Sequence, residues 1–150
     1  MKAQSSTNKM KLNRQRGHAI VELALVCPWL LLLFLGLVDF GFYAYAAITT
    51  QNAARVAVLI TASSPATAAS QTAACLAVRE EMKQMTNYSS LPAGCGALPL
   101  LVQATQVVGP DGENASRVQV SYRTVQLFSL PFFPGQMTMT RTAEMRIFGE

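Results

Sequence analysis

Histidine is almost absent from this chain, which has a single one, His18, among its 150 residues. Nucleophilic catalysis of the Ser-His-Asp or Cys-His type needs an imidazole beside the nucleophile, and zinc sites usually draw on histidine and cysteine together. Because His18 adjoins a long apolar run near the N-terminus, the part of the chain beyond that run lacks these ligands. We therefore expect no enzymatic activity, no metal and no cofactor.

Charged residues are also scarce, at 13% of the chain against 51% hydrophobic residues. This balance is too apolar for a disordered chain and fits a membrane-anchored protein. Paired carboxylates suited to glycoside chemistry are offered only by Glu80-Glu81 and by Asp111 with Glu113. The first pair falls in a charged helix segment and the second in a turn, so we interpret both as solvated surface. No small-molecule substrate is expected.

Acidic residues are missing from the first sixteen positions, which contain five of the twelve basic residues. From position 17 onward seven basic residues face eight acidic ones, so the net charge of +4 belongs to the N-terminal arm. No basic patch remains for a polyanion, and we expect no nucleic-acid binding. A basic arm ahead of an apolar run is instead typical of a segment retained in the cytoplasm.

The apolar run extends over residues 19–38, where Glu22 is the only charge. A bilayer core of about 30 Å is crossed by about 20 apolar residues in a helix, so the run is long enough to span it. A carboxylate in hydrocarbon is costly and usually has a partner. Asp39 follows directly and is predicted to mark the outer water boundary, since aromatic residues come next.

The chain beyond the apolar run is predicted to form helices first and then strands. The first helix is expected to continue to about Thr61, because the segment is rich in alanine and has few helix breakers. A second helix is predicted over 66–85, with Ser64 as N-cap and Pro65 at its first position.

Three β segments follow, at 98–108, 117–123 and 137–147. A strong turn signal at 109–112 separates the first two, and an apolar, proline-bounded loop lies at 129–135. Alternating polar and apolar residues give each of the last two strands one apolar face, although Arg141 interrupts the apolar face of the third. We predict an α+β fold in which a long N-terminal transmembrane helix leads to a second short helix and a small antiparallel sheet.

The domain organisation that follows has three parts. Residues 1–17 form a basic cytoplasmic leader. Its first sixteen residues are predicted to lack regular structure. Residues 18–62 form the long helix, including the transmembrane segment 19–38. Residues 63–150 form an extracytoplasmic domain.

The three cysteines lie in different parts of the chain. Cys27 lies within the apolar run and is interpreted as a small hydrophobe. Cys75 and Cys95 lie beyond it, and an exported domain would allow a disulfide between them. Two free thiols are the alternative.

The N-terminal region resembles type IV pilin-like precursors, and specifically the TadE-like family of tight-adherence pilus proteins. The matching features are a basic leader that ends in Gly17, Glu22 at the fifth position after it, and the apolar run over 23–38. The resemblance continues through residues 39–41 and 52–55, and it covers about residues 14–57.

The resemblance implies a pseudopilin or minor pilin, a structural component of tight-adherence pilus biogenesis or a related secretion machine. It implies cleavage between Gly17 and His18 by a prepilin peptidase on the cytoplasmic face of the inner membrane. It also implies that Glu22 takes part in assembly with other pilin-like subunits, since a carboxylate there can pair with the new α-amino group of a neighbour's His18. The domain beyond the helix would then be periplasmic or extracellular.

Three alternatives remain at this stage. The first is a signal-anchor with an unrelated glycine, carrying a membrane-tethered binding domain that does not polymerise. The second is a secretory signal peptide cut at Ala44-Tyr45-Ala46, although the apolar stretch is longer than the 7–15 residues of a usual signal. The third concerns the apolar loop at 129–135, which either forms an exposed docking tip or packs beneath the sheet.

Overall fold

The computed structural model describes residues 4–128 and 135–148, with side chains described from residue 18 onward. The predicted α+β class is confirmed. The described residues fall into two compact units that divide after Asp39. The elements are helices α1 (Gln4–Thr61) and α2 (Gln71–Glu81), a 3₁₀ turn (Tyr88–Ser90), and strands β1 (Gly96–Ala97), β2 (Leu100–Val108), β3 (Asn114–Arg123) and β4 (Thr138–Arg146).

Helix α1 is longer at its start than the sequence suggests. It ends at Thr61, as the alanine-rich composition predicts. It already begins at Gln4, so the prediction that the leader lacks regular structure is wrong for residues 4–16. The leader contains neither proline nor glycine before Gly17 and is rich in lysine, arginine and glutamine, all good helix formers. The interior Pro28 does not end the helix.

Helix α2 is shorter than predicted at both ends, Gln71–Glu81 rather than 66–85. The N-cap is Ser70, whose side chain accepts a hydrogen bond from the Ala73 N–H at 3.3 Å. The expected cap at Ser64 is therefore wrong. Residues 65–69 form turns that include a hydrogen bond from the Thr67 N–H to the Ser64 carbonyl at 3.1 Å.

The loop after α2 is tied back to that helix in two ways. A disulfide joins Cys75 to Cys95. One turn further along α2, the Arg79 guanidinium donates to the Pro92 carbonyl at 2.8 Å and lies 5.2 Å from the centre of the Tyr88 ring. Arg79 therefore anchors the loop to α2.

The sheet is antiparallel with the order β1-β2-β3-β4. The β2–β3 turn lies where predicted, with the Gly109 N–H bonded to the Glu113 carbonyl at 2.8 Å and Gly112 at φ 83°, a conformation that glycine adopts without strain. The register of β3 and β4 runs without interruption from Ala115↔Arg146 to Arg123↔Thr138. Of the predicted apolar loop, residues 129–134 lie outside the described residues.

The core of the second unit joins both helices to one face of the sheet. It consists largely of alanine on the helices and of larger residues on the strands, so the small side chains allow close packing. The members with no measurable exposure include Ala46, Ala53, Ala54 and Ala57 of α1, Ala74, Val78 and Met82 beside α2, and Leu100, Val102, Val118, Val120 and Tyr122 of the sheet.

Enlarging one of these alanines tests the packing directly. Ala57→Leu is expected to destabilise the second unit by about 1–3 kcal/mol, because a fully buried position has no room for three more carbons. Thermal unfolding of the full chain in detergent measures the change. Ala44→Leu makes the same substitution at an exposed position of α1 and is expected to have little effect, so equal losses in both variants would contradict this packing.

The end of α1 is fixed to the sheet by polar contacts. The hydroxyls of Thr61 and Ser116 lie 2.7 Å apart in the interior, and the Ser116 hydroxyl donates to the Ala68 carbonyl at 2.7 Å. The Phe148 N–H bonds to the Ala62 carbonyl at 2.9 Å. These contacts satisfy buried polar groups that would otherwise destabilise the fold.

Candidate functional site

The segment from Gly17 to Glu22 lies inside helix α1 and not in a loop. His18 and Glu22 are four residues apart, so they share one face of the helix. Both side chains are exposed, and Glu22 forms no ion pair among the residues whose side chains are described. A carboxylate in this position is free to meet a group supplied by another molecule.

The surface around Glu22 is apolar and uncovered. By length and composition, the helix over His18–Thr61 is able to cross a membrane. Leu and Trp side chains exposed to this extent are stable only in a bilayer or against other helices, since burying each one contributes about 1.5–3 kcal/mol. The large exposed side chains of the first unit are Ile20, Val21, Leu23, Leu25, Val26, Trp29, Leu30, Leu31, Leu32, Leu33, Phe34, Leu37 and Val38.

Asp39, which the sequence predicts to mark the outer water boundary, is buried in the structure. Its side chain is 1% exposed, and its two carboxylate oxygens accept no hydrogen bond from the described residues. Where the water boundary falls relative to Asp39 stays a prediction.

The other residues of chemical interest are dispersed. Cys27 is a free, exposed thiol on α1. Within the described ranges, no three His, Cys, Asp or Glu side chains are placed to hold a metal ion. The candidate site is therefore the exposed surface of α1 around Glu22.

The sequence does not predict that two arginines, Arg55 and Arg141, line the same hollow. Arg55 of α1 and Arg141 of β4 line the same hollow, together with Gln51 and Asn52. The only signal in the sequence is that Arg141 interrupts an apolar strand face.

Residues 17–59 match the model of a family described as TadE-like protein, which confirms the resemblance to the TadE-like family over that range. No curated protein and no solved structure matches the chain. The matched range includes most of the helix that is long and apolar enough to span a membrane.

Proposed function

We propose that this TadE-like chain is a pseudopilin or minor pilin, a structural component of tight-adherence pilus biogenesis or of a related secretion machine. The single observation that carries the proposal is an uncovered, membrane-length apolar helix with one carboxylate, Glu22, inside the segment that matches the family. Such a helix associates laterally with other helices in the membrane, and the carboxylate sets their register.

The partner proposed for Glu22 is the α-amino group of His18 on an adjacent subunit. Cleavage after Gly17 by a prepilin peptidase would create that amine and would remove the basic leader. An unpaired carboxylate in hydrocarbon is costly, whereas an ion pair with good geometry offsets much of the desolvation. The same pairing joins each subunit to the next.

The proposed orientation places the leader in the cytoplasm and the second unit on the periplasmic or extracellular side of the inner membrane. Two observations support it. The five basic residues before Gly17 follow the positive-inside rule. The Cys75–Cys95 disulfide suits an oxidising compartment, where such bonds persist.

N-terminal sequencing of the membrane-extracted protein tests the processing step. We expect a mature chain that starts at His18 when a prepilin peptidase is present and an intact leader when the peptidase is inactivated. An intact leader in both strains would instead support a membrane-tethered binding protein. A start near Ala47 would indicate ordinary secretion.

A further inference from the structure

Residues of helix α1 and of strand β4 line an open groove in the second unit. One hollow, of about 420 Å³, is lined by Arg55, Leu59 and the β4 segment 142–145 among others. A second, of about 350 Å³, is lined by Arg55 again and by Arg141. Because Arg55 belongs to both hollows, they form a single groove beside the strand.

Two arginines of the groove, Arg55 and Arg141, have no ion-pair partner among the described residues, because no carboxylate there lies within 4.0 Å of either one. Glu144 also lines the groove, but it is already paired with Arg117 at 2.9 Å on the sheet. Two guanidinium groups in one hollow repel each other and attract a carboxylate, which each can bind through two parallel hydrogen bonds.

Strand β4 presents an open edge beside this charge. Within the described sheet it pairs with β3 alone, over Thr138–Arg146, in an unbroken register. The strand contains no proline or glycine that would interrupt a further pairing. An edge of this kind leaves alternate N–H and C=O groups ready to pair with an added strand.

We infer that the β4 edge and its groove bind an extended, acidic segment of a neighbouring pilin-like subunit. The segment adds a strand to β4, and its carboxylate lies between Arg55 and Arg141. Main-chain hydrogen bonds supply affinity in this mode of binding, and the charge selects the partner. The inference rests on the proposed function, and it adds a second contact between subunits, outside the membrane helix.

A competing role for Arg141 is to prevent strand addition. Inward-pointing charges on edge strands are one way in which proteins avoid edge-to-edge association. The two roles predict opposite responses to removal of the charge. If Arg141 binds the partner, removing its charge weakens association with that partner. If Arg141 prevents strand addition, removing its charge strengthens association.

Site-specific photo-cross-linking in the full chain tests the inference. A benzophenone amino acid is placed at Thr142, on the β4 wall of the groove, and at the exposed Thr105 of β2 as a control. In cells that assemble the pilus, we expect the Thr142 probe alone to cross-link a pilin-like subunit. The captured peptide, identified by mass spectrometry, should carry Asp or Glu within about three residues of the cross-link.

Charge variants then decide the role of the arginines. The double variant Arg55→Glu/Arg141→Glu is expected to reduce the cross-link at least about tenfold, and Arg141→Gln about threefold, because charge-assisted contacts are lost. Arg123→Glu reverses an exposed charge at the end of β3 and should leave the yield unchanged. Retention of the Cys75–Cys95 bond reports that each variant folds.

Three results would overturn the inference: no cross-link above the Thr105 control, a captured segment without acidic residues, or a yield that rises in Arg141→Gln. Its failure is distinct from failure of the proposed function. If the chain is still processed at His18 and still needs Glu22 for assembly, the proposed function stands without this second contact.

Discussion

Replacing Glu22 by alanine is expected to leave membrane insertion intact and to lower incorporation into the pilus assembly at least about thirtyfold. Truncating one partner of a desolvated ion pair costs about 2–5 kcal/mol, since the remaining charge stays buried and unpaired. Here the remaining charge is the proposed α-amino group of a neighbour's His18. Insertion depends on the apolar run around Glu22, and a methyl group suits that environment better than a carboxylate.

The measurement compares the protein in sheared or cross-linked assemblies with the protein in the membrane fraction. Glu81→Ala is the matched control, because it removes an exposed carboxylate from α2, outside the apolar helix surface that is proposed to assemble. We expect that control to assemble nearly normally. Glu22→Asp, which keeps the charge on a shorter side chain, should fall between the two. Normal assembly of Glu22→Ala would exclude the register role and favour an anchored protein that does not polymerise.

Local sequence patterns predicted much of the fold because they report forces that act over a few residues. The alanine-rich stretch to Thr61 predicted where α1 ends. The turn at 109–112 and the alternation in the last two strands predicted the hairpins and the buried face of the sheet. A two-residue period places Met139, Ala143 and Met145 on the side that packs against the core, as observed.

The start of α2 was missed because two serines offer similar local signals. Ser64 precedes a proline, which favours a helix start there, and Ser70 precedes Gln71 without any such help. Tertiary contacts decide between them. Ala68 is buried and its carbonyl accepts the Ser116 hydroxyl, so residues between the two serines form turns against β3.

The two most informative polar positions could not be placed from neighbours in sequence. Asp39 is buried although the residues on either side of it, Val38 and Phe40, are exposed. Arg141 and Arg55 line one hollow although 86 positions of chain separate them. The spacing of Gly17 and Glu22 is different in kind, since its meaning depends on a second molecule, and it stays a prediction.

Removal of the Cys75–Cys95 disulfide is expected to lower the free energy of unfolding of the second unit by about 3 kcal/mol. The bond closes a loop with a sequence separation of 20, and in the chain-entropy model a cross-link of that size restricts the unfolded chain by about this amount. Arg79 still holds the loop through the Pro92 carbonyl, so the folded arrangement should persist in Cys75→Ser/Cys95→Ser. Urea unfolding of the full chain in detergent measures the difference.

Cys27→Ser is the matched control, because Cys27 is a free thiol on α1. It should unfold as the wild type does, whereas wild type treated with a reductant should match the double variant. A double variant as stable as the wild type would show that the bond contributes nothing in the native chain.

The same bond reports on which side of the membrane the second unit lies. Disulfides persist in oxidising compartments and are rare in the cytosol. If the basic leader retains the N-terminus in the cytoplasm, denaturing the cells in the presence of a thiol-specific alkylating reagent and without reductant should label Cys27 only. The control is a variant whose apolar run is interrupted by charged residues. This variant should stay in the cytosol, and all three of its cysteines should be labelled. Labelling of Cys75 and Cys95 in the unaltered chain would contradict the proposed orientation, since the domain would then lie where the bond is not maintained.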